Sequence, residues 1–536
     1  MPAASSNGTA DADGGAPTAG RWVLAATILG SSMAFIDGTV VNVALPTLQR
    51  DLGASAAAVQ WVVEAYALFL AALILVGGSL GDRLGRKRIY TVGVGVFTVA
   101  SVACGLSQDV GQLIAARAVQ GVGGALLVPG SLAIISAAFA GDARGRAIGT
   151  WSGATAITSA IGPLLGGWLV DQGSWRWVFL INVPLAAVVL WIVAARVPES
   201  RDESSAGRID VGGALLVTAG LGLLVFGLIE VPARGWGDGL VLASLAAAVA
   251  ALAAFVAVEA RGRSPMMPLG LFRSRVFSGA NVLTLLLYAA LGGALYWVPF
   301  NLIEVHGYSS TKAGAALLPM VLLLSVLSRW AGGLIGAFGP RPPLTVGPAV
   351  AGLGFLLFAR PGIGGSYWTT FFPAAVVLGV GLSITVAPLT TAVMGAVEGS
   401  HSGVASGVNN AVSRTAGLLA IAVLGIVVAG AFEGSLDDRL DGLALTDSAR
   451  AEIDRQEGDL AAIDAPAELD AAGQAAVADA VDRSFNAGFR RAMIVGAGLA
   501  FASAVAAWLM IRGPDAAKVE RKAADDGQAE ASASTA

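Results

Sequence analysis

The chain has 536 residues, 55% of them hydrophobic and 13% charged, with a formal net charge of −4. Soluble proteins carry roughly 25% charged residues, so the composition excludes an ordinary soluble domain, and the nearly balanced charge points to no nucleic-acid partner. The lone Cys104 allows no intrachain disulfide, His306 and His401 lack metal-ligand spacing, and no phosphate loop argues for ATP as a motor.

Residues 1–21 are polar, rich in Ala, Gly and Ser, and without a signal-peptide pattern, which reads as a disordered tail. Fourteen apolar runs follow, near 22–45, 59–81, 89–107, 110–138, 146–170, 175–195, 209–231, 239–259, 276–300, 313–337, 343–360, 367–395, 403–431 and 489–511. About 20 helical residues at 1.5 Å rise cross the ~30 Å hydrocarbon core, so each run predicts a membrane helix. Lys and Arg gather in alternate loops, at Arg83–Arg88, Arg144 and Arg146, Arg196–Arg208, Arg261–Arg275 and Arg512–Lys522, which predicts both termini in the cytoplasm. The even count suggests an all-α integral membrane protein of two six-helix bundles, 22–195 and 276–511. Two additional central helices fall within 196–275. Arg261–Arg275 reads as a linker or an interfacial segment. The acidic stretch 432–488 falls outside the membrane, as a solvated insertion, a lid or a docking element; 512–536 reads as a second disordered tail.

Gly77–Arg88 (GGSLGDRLGRKR) joins the second and third runs by a very short loop. Its glycines allow close backbone approach, and Asp82 there can receive an arginine or a helix N-terminus. Gly149, Gly153, Gly162, Gly166 and Gly167 give the fifth run a small-residue face, with Pro163 bending it. Arg329–Pro343 echoes the first loop but lacks its aspartate.

An ionisable group inside a span costs about 2.5–3.5 kcal/mol on insertion scales, so each one is a functional candidate. Asp37 lies mid-span in the first run, where a carboxyl could exchange a proton as water access changes. Glu64, one turn into the second run, is expected to be partly wet, able to bind a cationic group or a second proton. Arg117, early in the fourth run, needs a partner, with Asp37 or pore-lining backbone as candidates. Arg414 sits mid-span in the thirteenth run, with Asn409 and Asn410 about one turn away; a cation here disfavours cationic cargo. Trp61, Tyr66, Trp151, Tyr288, Tyr296, Trp297, Phe300 and Trp330 are candidate pocket aromatics.

Gly78–Arg88 resembles the loop between helices 2 and 3 of the major facilitator superfamily. Asp37–Pro46 resembles the first-helix motif of its fourteen-helix drug:proton antiporter branch, Arg117–Gly123 the family's R-x-x-q-G-x-g motif, and the stretch around Gly162-Pro163 its antiporter motif. The resemblance implies the major facilitator fold and a non-enzymatic carrier in the cytoplasmic membrane. It would have no cofactor, the proton gradient as energy source, and would act as a monomer in the lipid bilayer, with protons and an amphipathic small molecule as partners. It assigns proton coupling to Asp37, Arg117 and Glu64. Asp82, Arg83, Gly85, Arg86, Gly162, Pro163, Gly166 and Gly167 become gating residues. Glu64, Trp61, Tyr66, Trp151, Tyr288, Tyr296, Asn409, Asn410 and Arg414 become substrate contacts. A lipid exporter with lateral access through the two extra helices, or a non-transporting sensor or scaffold, are the alternatives.

Overall fold

The computed structural model describes residues 18–201, 210–262, 265–397 and 402–511. Most of the two expected tails, His401 and part of the basic linkers lie outside the described residues. Among the described residues, fourteen helices are long and apolar enough to cross a membrane. They are α1 Gly20–Leu52, α2 Ala56–Leu84, α3 Arg86–Leu106, α4 Val110–Ala138, α5 Ala143–Gln172, α6 Trp177–Arg196 and α7 Val211–Arg234. The rest are α8 Gly239–Arg261, α9 Arg275–Val305, α10 Ser310–Ser328, α11 Arg341–Phe358, α12 Phe371–Gly395, α13 Val404–Leu440 and α14 Ala471–Met510. Local chemistry sets several starts. Ser55, Asp109, Asp238, Ser274 and Ser309 each cap the following helix by accepting a backbone N–H, which satisfies an otherwise orphaned donor.

Helices α1–α6 pack into one bundle and α9–α14 into another. The two additional helices pair with each other, and α7 lies against α2 of the first bundle and α13 of the second. Leu221, Val225 and Ile229 of α7 bury themselves there beside Leu68, Leu418 and Ala422. Two π-helical turns, Ala290–Ala294 and Asn301–Val305, interrupt α9. At the first, α9 meets α13 so closely that a Cβ on Gly292 would lie 2.6 Å from the Gly417 Cα. After α8, the described part of the linker folds back on the protein: Glu259 accepts from the Met267 amide at 2.9 Å, and Met267, Leu271 and Phe272 pack on the core.

Because successive helices alternate in direction, the segments 53–55, 107–109, 173–176, 306–309 and 441–470 share the end opposite the chain termini, here called the far end. There α13 and α14 run well past the predicted runs, since their polar faces continue the helix beyond the apolar stretch. Between them a short helix, Asp447–Arg455, and a turn, Glu457–Ala462, form a cap. The cap is docked. Gln49 of α1 donates to the Asp459 carbonyl at 3.0 Å, and Leu460 and Ile463 are buried in the main core. Leu460 holds a left-handed backbone conformation, φ 53°, uncommon for a residue with a branched side chain. Arg450 pairs with Asp437, Asp441 and Asp454, and Glu468 accepts from Thr446 and Ser448 at 2.7 Å.

Burial, with Asp437 and Asp454 adding to it and Arg450 opposing, raises the Glu457 carboxyl above its usual range. Burial and then Asp464 do the same for Asp459. A carboxyl with a raised folded pKa binds its proton more readily in the docked cap than in the undocked one, so docking weakens as pH rises through the folded values and strengthens as pH falls toward the unfolded ones. Exposed Glu468, lowered by its two hydroxyl donors, has the opposite sign but acts only at more acidic pH. Amide exchange over 457–464, corrected for intrinsic rates, should therefore slow as the pH is lowered from neutral toward the ordinary carboxylate range; unchanged or faster exchange across that range would contradict this.

Candidate transport site

The polar centre of the first bundle is built on Asp37, which has no exposed surface. Its Oδ2 accepts from the Arg117 Nη1 at 2.5 Å, and its Oδ1 accepts from Gln120 Nε2 at 2.8 Å and Asn182 Nδ2 at 3.3 Å. Arg117 also donates from Nε to the Val62 carbonyl at 3.0 Å and from Nη1 to Gln120 Oε1 at 2.6 Å. Ser101 Oγ accepts from both Gln120 and Asn182. The guanidinium lies 4.2 Å from the Tyr66 ring centroid and 5.7 Å from that of Phe179. A buried ion pair is tolerable only when its remaining donors and acceptors are met, and here α1, α2, α3, α4 and α6 supply them. Both partners foreseen for Arg117, the carboxylate and a backbone carbonyl, are engaged at once. Gln120, Ser101 and Asn182 were not singled out as site residues. The available signal was their polarity inside apolar spans, and for Gln120 its i+3 spacing from Arg117.

Beside this centre, between the bundles, lies a cleft of about 180 Å³ lined by Ala34, Phe35, Gly38, Thr39, Tyr66, Val128, Ser159 and Arg414. One turn of α1 thus serves two sides: Asp37 points into its own bundle while Phe35 and Gly38 face the cleft. A Cβ on Gly38 would meet nothing within 4 Å. The Tyr66 ring, over Arg117 and on the cleft wall, stands between the ion pair and the cleft.

The other expected contacts are distributed differently. Trp151 sits one layer behind, edge-on to Phe35 and donating to Ser31 Oγ at 3.0 Å. Trp61 packs on Phe226 of α7. Asn409 is spent within its own bundle, donating to Asn281 at 3.1 Å and Thr284 at 2.8 Å. Asn410 is exposed, on the same face as Arg414 one turn nearer the terminal end, and donates to its own helix at Ser406. Tyr288 is half-buried against the core. Tyr296 stacks with Trp297 and Phe300 beneath the cap, where Gln49, Leu460 and Phe485 also converge. Trp330 is 63% exposed and lines no such pocket. The expected wetness of Glu64 is corrected: it has no exposed surface, and neither carboxylate oxygen has a hydrogen-bond partner. The reason is direction. Gln60, one turn earlier on the same face of α2, reaches Gly425 of α13, so this face is covered by the second bundle.

At the terminal end, Asp82 pairs with Arg86 inside its own loop, at 2.8 Å to Nε and 2.7 Å to Nη2. Arg83 forms no ion pair among the described residues. Gly85 has φ 109°, and a Cβ there would fall 2.8 Å from the Glu199 carboxyl carbon, so glycine is required twice over. Glu199, unforeseen, receives the N-terminus of α3 through the amides of Lys87 (2.9 Å) and Arg88 (3.1 Å).

At the far end the bundles are fastened to each other. Asp171 of α5 accepts from the Ser310 and Thr311 amides at 3.0 and 2.9 Å and from the Thr311 hydroxyl at 2.6 Å. Arg50 pairs with Glu304 at 3.3 Å. Gly162 and Gly166 let α5 lie on α1: a Cβ would come within 2.0 Å of Thr39 Oγ1 and 2.5 Å of Val40 Cγ2. Gly167 lets α5 reach the other bundle, since a Cβ would lie 2.2 Å from the Ser310 carbonyl oxygen, while Gly314 lies against the Pro163 carbonyl. Gly149 and Gly153 meet nothing within 4 Å and take no part in this packing.

A family model for the Major Facilitator Superfamily matches residues 27–421. The chain belongs to the Major Facilitator Superfamily. Its major facilitator relatives include the tetracenomycin C resistance and export protein of Streptomyces glaucescens, 37% identical over 76% of this chain and 75% of that protein. The methylenomycin A resistance protein of Bacillus subtilis is 36% identical, over 76% and 87%. The puromycin resistance protein of Streptomyces alboniger is 35% identical, over 78% and 83%. Among solved structures, a bacterial homologue of the human lysosomal transporter Spinster, inward-facing and occupied, superposes with a TM-score of 0.65 at 18% identity, covering 92% of this chain and 97% of that one. The major facilitator fold is thus shared, and the chain is a multi-pass membrane protein.

Gly167→Val should prop the far end open, because its Cβ meets backbone and not a flexible side chain. A cysteine at Ser310, in a Cys104→Ser background, should then gain reactivity toward a maleimide confined to the far-end side. Gly153→Val should leave labelling unchanged; equal labelling in both would show that the Gly167 contact does not hold the seal.

Proposed function

We propose that this chain is a proton-coupled antiporter that exports amphipathic small molecules by alternating access, with both termini in the cytoplasm and the far end outside. The observation that carries the coupling is the buried Asp37–Arg117 pair within one ring's thickness of the inter-bundle cleft. The direction and drug class rest on the relatives, which are antibiotic resistance and export proteins.

Protonating Asp37 removes the negative charge that ties α1 to α4. Arg117 would then rely on the Val62 carbonyl, Gln120 and the Tyr66 face, so the network must re-form around a changed charge, and the helices it joins must shift with it. Asp171, Arg50–Glu304, the Gly167 contact and the cap all close the far end, which fits an inward-facing carrier. In that state the Asp82–Arg86 pair is local, leaving the loop available to lock the cytoplasmic side when the bundles rock the other way. Because α7 covers the seam between α2 and α13, it blocks lateral entry there, which counts against the lipid-exporter alternative.

Everted vesicles carrying the chain, energised and then challenged with puromycin, tetracenomycin C or methylenomycin A, should release protons on substrate addition. Asp37→Asn keeps the amide-compatible hydrogen bonds but should reduce that release to background. Arg117→Met should cost about 3–5 kcal/mol of stability by leaving the carboxylate buried and unpaired, visible as a lowered Tm. Unchanged proton release in Asp37→Asn would remove Asp37 from the mechanism.

A further inference from the structure

The first bundle balances its buried charge; the cleft does not. Arg117 is answered by Asp37, whose two oxygens are already taken by three donors. Arg414, from α13 of the second bundle, lines the cleft, and its Nε is buried without a hydrogen-bond acceptor. No carboxylate among the described residues forms an ion pair with it. Glu64, the other unpartnered charged group of the α2–α13 region, is fully buried with neither oxygen hydrogen-bonded and does not pair with Arg414. Nor do its polar neighbours supply an acceptor that satisfies it. Thr39, on the cleft wall, and Asn409, nearly a turn and a half back along α13, use their own donors elsewhere, and neither accepts a hydrogen bond from the Arg414 Nε.

A guanidinium cannot shed its charge, and its planar fork fits a carboxylate at two points. An uncompensated one in the membrane is costly and marks a substrate path by default. Around it the wall is apolar at Ala34, Phe35 and Val128, and open above Gly38. Resting on the reading of this cleft as the transport route, we infer that the cargo is an organic anion: a flat apolar body carried over Phe35 and Gly38, with a carboxylate or acidic phenolate received by Arg414. Asn410, one turn along the same face, lies on the path by which such a group would reach it.

The test uses the full-length protein in nanodiscs with a matched series: 2-naphthoate, the neutral 2-naphthamide, and 2-naphthylmethylammonium. Wild type should bind naphthoate at least about tenfold more tightly than the amide, a difference of about 1.4 kcal/mol. Arg414→Gln should erase that preference, Arg414→Lys should keep part of it, and Arg414→Glu should transfer it to the ammonium. Gly38→Leu, which fills the open wall, should weaken all three probes together. If Gly38→Leu weakens binding but acid and amide bind wild type alike, or if Arg414→Gln keeps the preference, the cleft reading stands and the anion inference falls. If Gly38→Leu changes nothing, the cleft itself is not the binding site. Failure of naphthoate to bind wild type overturns the inference. If Arg414→Gln does not remain monodisperse, the Arg414→Lys and Arg414→Glu pair decides, because charge reversal must invert the acid-to-ammonium order.

Discussion

The first bundle is organised around one buried ion pair. Asp37 and Arg117 are far from any surface, and their attraction alone would not offset the loss of two hydration shells. What makes the pair stable is the ring of second partners: Gln120, Asn182 and the Val62 carbonyl each satisfy a donor or acceptor the pair leaves over, and Ser101 accepts from Gln120 and Asn182 in turn. Five helices are thereby tied through one charge, so its removal cannot stay local. A network of this kind has few arrangements in which every member is satisfied, and switching between them moves helices rather than single side chains.

The contacts between bundles follow a different rule. At the far end, beside a shared apolar core and the Arg50–Glu304 pair, they use absent side chains and one helix cap. Gly167 against Ser310 and Gly314 against Pro163 bring backbone to backbone, and Asp171 fastens onto the start of α10 with three hydrogen bonds. Such contacts are short-ranged and release fully once the surfaces part, unlike a broad hydrophobic interface whose loss would cost in proportion to area. A seal that opened repeatedly, as the proposed reading requires, would be well served by them. The cap adds Gln49 and a buried Leu460 to the same closure.

Much of this was legible in the sequence because ionisable residues are rare in apolar spans: Asp37, Glu64, Arg117 and Arg414 stand out at once. The helices were legible too, since a run of about 20 apolar residues has few other uses. Less visible was where a side chain points. Glu64 reads as interfacial from its depth, yet its face of α2 turns into the second bundle. Helical spacing puts Asn410 on the Arg414 face and Asn409 off it, but it does not say where Asn409 goes: it turns to Asn281, and Asn410 stays exposed. Gln120, Ser101 and Asn182 are uncharged, and neutral polar residues are common enough in membrane helices to carry little signal singly. The caps made by Asp171 and Glu199 join segments 139 and 112 residues apart, and no local pattern announces them. The long polar ends of α13 and α14 were hidden because hydropathy reports where the membrane stops, not where the helix does.

Two arginines inside the membrane spans divide the chemistry. Arg117 is neutralised inside the protein, and Arg414 is left facing the cleft between bundles. Tyr66 belongs to both: one face of its ring covers the Arg117 guanidinium at 4.2 Å, and its edge forms cleft wall near Arg414. On the proposed reading, cargo pressing on that ring is the means by which an occupied cleft would open the ion pair to water, so the two sites are joined by one side chain and need no longer relay. A smaller residue at that position would leave Asp37 reachable whether or not the cleft held a molecule, and protons would then pass without cargo. On that reading the size of the ring, and not its hydroxyl, would keep the exchange coupled.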